Sequence, residues 1–473
     1  MTNYTAAQTG SAPAKYVLTY WDPENREFWE RTGKRIAARN LWISIPALLL
    51  AFAVWMVWSV VVVNLPSIGF KYDTNQLFWL AALPGLSGAT LRIFYSFMVP
   101  IFGGRAWTTI STASLLLPAV GIGFAVQNPE TPYATMLTLA LLCGFGGGNF
   151  ASSMANISFF FPKAQKGMAL GMNAGLGNLG VSVVQFVVPL VITVGIFGGL
   201  GGDPQTWVKD DVSRQMWLQN AGFVWVPFIL LSTLAAWFGM NDIASAKASF
   251  REQAVIFRRK HNWLMCWLYL GTFGSFIGYS AGFPLLTKTQ FPEINPTQYA
   301  FLGPLMGALF RVVGGWISDR LGGAVVTLWV FVTMAGAVFG VMAFLPQEGT
   351  GGNFWMFFAM FMVLFAASGV GNASTFRMIP MIFLTQHQRA AQGKSAAAQE
   401  QAVKDANKEA AAVLGFTSAF AAYGAFFIPK SFGTSIAVSG GPELALYGFI
   451  AFYVSCLALT WWYYSRKNAE MPC

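Results

Sequence analysis

Two arginines stand where a charge is costly. Arg92 sits roughly 16 residues into an apolar run that begins near residue 76, and Arg311 roughly 13 into one that begins near 298, too deep for either side chain to reach an interface easily. A buried ion pair would explain them, but it needs carboxylates, and all 19 Asp and Glu fall in expected loops or at expected helix ends. Two deep guanidiniums without deep acids leave a place for an anion. Each guanidinium is planar and offers a rigid fork of donors, so a facing pair suits a small planar oxyanion of one or two negative charges, and lysine would substitute poorly. Arg377 and Lys430 also lie within apolar runs, nearer the expected helix ends, and are weaker candidates.

Around the arginines the chain is rich in glycine and asparagine. One cluster holds Gly144, Gly146, Gly147, Gly148, Asn149 and Asn156, a second holds Asn173, Gly175, Gly177 and Asn178, and a third holds Gly369, Gly371 and Asn372. Small residues let membrane helices pack closely, which accounts for most of these glycines. A buried amide must find partners, and Asn178, in the middle of a run without charge from Gly167 to Gly202, could donate to an oxyanion.

The composition says what must position these groups. Hydrophobic residues make up 55% of the chain and charged residues 10%, with a mean hydropathy of +0.52, against about 25% charged in an ordinary soluble domain. That is the composition of a membrane protein; a soluble enzyme, a disordered tail and a nucleic-acid binder are excluded as readings. Four cysteines, three of them (Cys143, Cys266, Cys456) in apolar stretches, make neither a disulfide framework nor a metal site. His261 and His387 are placed in loops, and no His-Glu-x-x-His or carboxylate cluster points to an enzyme or a cofactor. The polar first 40 residues lack a cleavable signal.

Apolar runs predict twelve spanning helices: 41–63, 76–102, 107–127, 133–161, 168–198, 221–240, 263–286, 298–318, 324–345, 354–383, 411–437 and 443–464. Basic residues test the count. Of the 29 Lys and Arg, 21 fall on the side that carries both ends of the chain and 4 on the other, which places both ends in the cytoplasm. The expected organisation is a cytoplasmic tail (1–40), a six-helix half (41–240), a cytoplasmic linker (241–262), a second six-helix half (263–464) and a short tail (465–473). The segment 392–412, rich in Ala, Gln, Lys and Glu, is expected as a solvated helix or loose connector.

An internal repeat supports two halves. Gly88, Ala89 and Arg92 match Gly307, Ala308 and Arg311 at an offset of 219, which continues from Gly103-Gly104 to Gly322-Gly323 and from Thr108 to Thr327. This layout resembles the major facilitator superfamily, whose loop motif is similar to Gly315 to Gly323, with Asp319 and Arg320; the first copy keeps Gly103, Gly104 and Arg105 but lacks the acid.

Nearly the whole chain further resembles the nitrate/nitrite porter family, in the runs Arg39 to Ser44, Ala82 to Arg92, Ser96 to Arg105, the glycine-rich stretch to Lys163, and Thr272 to Phe283. The resemblance implies an all-α polytopic carrier of the bacterial cytoplasmic membrane. Arg92 and Arg311 would grip nitrate or nitrite, Asn178 and Tyr269 would donate hydrogen bonds, and Phe150 and Phe273 would be apolar walls. Tyr269 and Phe273 are four residues apart and share one helix face. The carrier is expected to work as a monomer in lipid, without cofactor or nucleic acid. With no acid or histidine at depth to carry a proton, obligate nitrate/nitrite exchange by rocking of the halves is the expected mechanism. Proton-coupled nitrate symport is the second reading, and an anion channel is the reading from another class.

Overall fold

The computed structural model describes residues 16–209, 212–244, 254–346 and 351–473. Among the acids counted above, Asp210, Asp211, Glu252 and Glu348 lie outside the described residues. Twelve long helices form the body: α1 (Arg26–Asn64), α2 (Thr74–Tyr95), α3 (Gly104–Ala125), α4 (Tyr133–Phe160), α5 (Lys163–Val191), α6 (Asn220–Gly239), α7 (260–290), α8 (Pro296–Leu321), α9 (Gly323–Ala343), α10 (Phe354–Ala391), α11 (Ala396–Ser439) and α12 (Glu443–Ser465). All but α7 are long and apolar enough to cross a membrane. Helix α7 joins Lys260–Tyr269, a π turn Leu270–Gly274 and Ser275–Gln290. From Gly271 to Thr287 every residue of it is buried. A helix enclosed by other helices meets little lipid, so it can carry the Gly, Ser, Thr and Tyr that dilute its hydropathy.

Four short strands complete the described residues. Strand β1 (Val17–Leu18) pairs in parallel with β4 (Asp242–Ile243), and β2 (Gln205–Lys209) pairs antiparallel with β3 (Val212–Met216). The first pair brings residues 16–25 beside the segment that follows α6, while the Ala324 N–H donates to the Cys473 carbonyl at 3.0 Å. Residues 16–25, 242–243 and 466–473 therefore share one face, called here the near face; the β2–β3 hairpin lies on the far face.

Local signals explain the helix ends. Asp73 caps α2 in a reciprocal box with Gln76, and the Lys163 N–H at the start of α5 donates to Glu24 Oε1 at 2.9 Å. Gly103 and Gly322, equivalent in the repeat, both take positive φ (86° and 89°) at near-face turns, a conformation that excludes most other residues. The acid that the first loop motif lacks comes from elsewhere: Asp242 accepts from the Arg105 N–H at 2.8 Å and lies 3.6 Å from its guanidinium. In the second copy Asp319 pairs with Arg377 at 2.7 Å.

Three expectations change. Helix α1 starts at Arg26, not 41, and α10 and α11 continue past the apolar runs into a projecting helical hairpin, because Ala, Gln, Lys and Arg propagate a helix in water as well as in lipid. His387 is consequently helical rather than in a loop, and His261 lies in the first turn of α7 rather than in a loop. Glu409 is likewise inside α11 and only 6% exposed; Arg259 grips both its oxygens and His387 Nε2 lies 2.7 Å from Oε2.

The halves meet along α2 with α11, α5 with α8, and α1 with α7. Toward the far face, Ser182 Oγ donates to the Phe301 carbonyl (2.9 Å), Gln185 Nε2 to the Ser280 carbonyl (2.7 Å) and Lys430 Nζ to Asn75 Oδ1 (3.0 Å). At mid-depth Thr90 Oγ1 and the Tyr423 hydroxyl are 2.9 Å apart.

Candidate anion-binding site

The repeat acquires a geometric meaning at Gly88 and Gly307, each one helical turn before its arginine. Gly88 lies against Gly147, where a Cβ on Gly147 would stand 2.7 Å from the Gly88 Cα, and Gly307 lies against Gly369, whose missing Cβ would strike the Gly307 carbonyl. The crossings of α2 with α4 and of α8 with α10 are thus backbone against backbone, and they bring the arginine of each half toward the bundle interior.

Arg92 is wholly buried. Its Nε donates to the Gly147 carbonyl at 2.8 Å and its Nη1 to the Ser418 carbonyl, in the other half, at 3.2 Å. Three rings surround the guanidinium carbon: Phe150 at 4.9 Å, Trp55 at 5.2 Å and Phe273 at 5.6 Å, which exclude water while their faces favour the cation. Arg311 is partly buried, 5.4 Å from the Phe376 ring. Neither arginine belongs to an ion pair among the described residues. Arg92 Nη2 and Arg311 Nη1 are buried donors with no partner among the described residues, and such donors call for an acceptor.

Tyr269 joins the two. Its hydroxyl lies within electrostatic reach of both guanidiniums, Arg311 and Arg92. Its ring stacks on Phe273 (centroids 5.4 Å apart, planes 11°) and tilts against Phe376 at 5.2 Å. Tyr269 and Phe273 flank and enter the π turn of α7, a widened turn of the kind that recurs at functional sites.

Arg92, Arg311, Tyr269, Phe150 and Phe273 are thereby brought together. Asn178 is buried (3% exposed) with Oδ1 unpartnered, but makes no hydrogen bond to either guanidinium. Asn372 is also buried with a lone Oδ1. Of the glycines, Gly144, Gly146 and Gly148 press on Ser87, Ala51 and Tyr95, Gly177 on Leu48, and Gly371 on Thr272, whereas Gly175 faces open space with nothing within 4 Å. Arg377 is taken up by Asp319, and Lys430 by Asn75 and Thr434. Trp55, Phe376 and Ser418 also belong to the site and carry no mark in the sequence. Two are aromatics in apolar runs and the third contributes only a backbone carbonyl, so residue type carried no signal.

Residues 47–400 match the family model described as Major Facilitator Superfamily. The nitrate/nitrite transporter NarU of Escherichia coli K12 is 55% identical over 96% of this chain and 97% of its own. The probable nitrate/nitrite antiporter NarK2 of Thermus thermophilus is 45% identical over 96% and 98%. In three dimensions the crystal structure of a D-xylose-proton symporter superposes with a TM-score of 0.65 at 15% identity, covering 90% of this chain and 97% of that one, a likeness of fold. With its twelve helices, its two-arginine repeat and these relatives, the chain belongs to the major facilitator superfamily, as a NarK-type nitrate/nitrite porter.

Proposed function

We propose that the protein exchanges nitrate for nitrite across the bacterial cytoplasmic membrane by alternating access, with the near face in the cytoplasm and the anion held between Arg92 and Arg311. The observation that carries this reading is the pair of guanidinium N–H groups without a partner among the described residues, Arg92 Nη2 and Arg311 Nη1, one from each half and both guanidiniums within electrostatic reach of Tyr269. An oxyanion accepts from both and relieves the repulsion between the two cations. The rings of Phe150 and Phe273 close the remaining sides, keeping the site dry so that charge-assisted hydrogen bonds are strong. The far-face hydrogen bonds of Ser182, Gln185 and Lys430 must break for the site to open outward, and the bound anion stabilises the halves against each other while they exchange partners.

A proton-coupled reading has one observation in its favour: Glu409, buried between Arg259 and His387, is a carboxylate–imidazole pair off the aqueous surface. Purified protein in liposomes separates the two. Nitrate entry that requires internal nitrite and ignores an imposed pH gradient supports exchange; entry into vesicles without nitrite, driven by external acid, overturns it in favour of symport. Conductance without trans-stimulation would make the protein a channel.

A further inference from the structure

Behind the site wall, on the side of α4 turned away from Arg92, a small cavity lies between α1, α3 and α4, lined by Ser44, Leu48, Ser111, Thr112, Asn149 and Ser152 among others. Its free volume, about 10 Å³ for the centre of a water molecule, is what one water needs. Two of the lining groups are buried and unpaired: Thr112 Oγ1, in a residue with no exposure, and Asn149 Oδ1, in one 5% exposed. Among the described residues the one hydrogen bond of the Asn149 side-chain amide is a long one, 3.5 Å from Nδ2 to the Ser111 carbonyl.

The two unpaired groups differ in kind. Asn149 Oδ1 can only accept, while the Thr112 hydroxyl has a hydrogen to give. A cation would serve the oxygen lone pairs and leave that hydrogen unpaired, and an anion would lack donors enough in a neutral pocket this size. One molecule that donates and accepts serves both. We propose that this cavity is a binding site for a single structural water that bridges Thr112 on α3 to Asn149 on α4 and sets the height and rotation of α4. The next residue along, Phe150, is the ring under Arg92, and two residues back Gly147 presents the carbonyl that holds Arg92 Nε. The water is therefore a positioning element for the anion site, a role that rests on the function proposed above; the hydration site itself does not.

Millisecond X-ray radiolytic labelling of the full chain in lipid nanodiscs tests this, the probe being water itself. Leu48 lines the cavity and is 1% exposed, whereas Leu80 and Leu268 have no exposure and do not line this cavity. Leu48 is expected to be oxidised several-fold faster than either, and Thr112→Val to bring it down to their rate while weakening nitrate binding about threefold to tenfold. Thr112→Ser keeps the hydroxyl and should retain both properties. Wild-type Leu48 labelled no faster than Leu80 overturns the hydration site. Labelling as expected with unchanged nitrate affinity in Thr112→Val overturns the positioning role alone. Failure of the wild type to bind nitrate would instead count against the proposed function, since the labelling needs no anion.

Discussion

Arg92, in the first half of the molecule, donates a hydrogen bond to the backbone carbonyl of Ser418, in the second, at 3.2 Å. The residue proposed to hold the anion is thus also a link between the parts that must move. An anion that draws the guanidinium toward Arg311 competes with that link, so binding and the relation of the halves are coupled at one side chain.

Replacing either arginine by lysine keeps the charge and removes the fork. Arg92→Lys should lose at least one charge-assisted bond worth about 1.5–3 kcal/mol, or roughly 10- to 100-fold in nitrate affinity. Arg311→Lys should cost less, because among the described residues no backbone carbonyl anchors Arg311 as those of Gly147 and Ser418 anchor Arg92, and Arg311 is only partly buried. Nitrite/nitrate counterflow in proteoliposomes gives the test; two lysine variants with wild-type exchange would remove the clamp.

Tyr269→Phe removes only the hydroxyl that lies within electrostatic reach of both guanidiniums and leaves the stack on Phe273 in place. Anion affinity should fall about tenfold, or about 1.4 kcal/mol, while thermal stability falls by only about 0.5 kcal/mol, the low end of the range for one hydrogen bond. Equal losses in binding and melting temperature would show that the hydroxyl holds the fold, not the substrate.

The glycines divide into two kinds. A Cβ at Gly147 would stand 2.7 Å from the Gly88 Cα and the same distance from the Trp55 ring, while one at Gly175 meets nothing within 4 Å. Gly147→Ala should destabilise by about 1–3 kcal/mol through overpacking and abolish tight binding by displacing Arg92. Gly175→Ala should be neutral or stabilise by up to about 1 kcal/mol, the helix preference for alanine. Melting temperatures of the two variants in detergent decide the matter.

Far-face closure rests on few bonds. Ser182→Ala combined with Gln185→Leu removes the donors to the Phe301 and Ser280 carbonyls and should shift the population toward the outward-open form. A cysteine placed at Ser280, now 1% exposed, should then react several-fold faster with a membrane-impermeant thiol reagent added outside. An unchanged rate would mean that packing alone holds the far face.

Near the other end, Lys260 donates to Glu470 and His261 adds its own contact, which together hold the Glu470 carboxyl below its usual range. A depressed carboxylate stabilises the fold above its unfolded pKa, about 4.3, and loses that contribution as pH falls through the lower folded value. Glu470 is 45% exposed, so Glu470→Gln should cost only a few tenths of a kcal/mol at pH 7. The difference in melting temperature should shrink as the pH falls below the unfolded value and vanish once it is below the folded one; a difference that persists in acid would point to packing.

The legible part of this molecule was whatever is written locally along the chain. Membrane class, the two halves and the two deep arginines follow from hydropathy and from the cost of a buried charge, and both quantities are read within a window of about 20 residues. The repeat at offset 219 extended that to pseudo-symmetry and put glycine at the two turns with positive φ, Gly103 and Gly322. Even the weak hydropathy of α7 had a readable cause in its Gly, Ser and Tyr content.

Pairings between distant residues were decided by the tertiary structure alone. Asp242, more than a hundred residues from Arg105, supplies the acid missing from the first loop motif, and nothing near either residue announces it. Trp55 and Phe376 read as ordinary apolar residues until the helices bring them to the guanidiniums. Ser418 acts through a carbonyl that every residue possesses. The physical reason is common to all of them: the sequence states the cost of placing a group in the membrane, whereas the partner that offsets it depends on the crossing of helices, set here by Gly88 against Gly147 and Gly307 against Gly369.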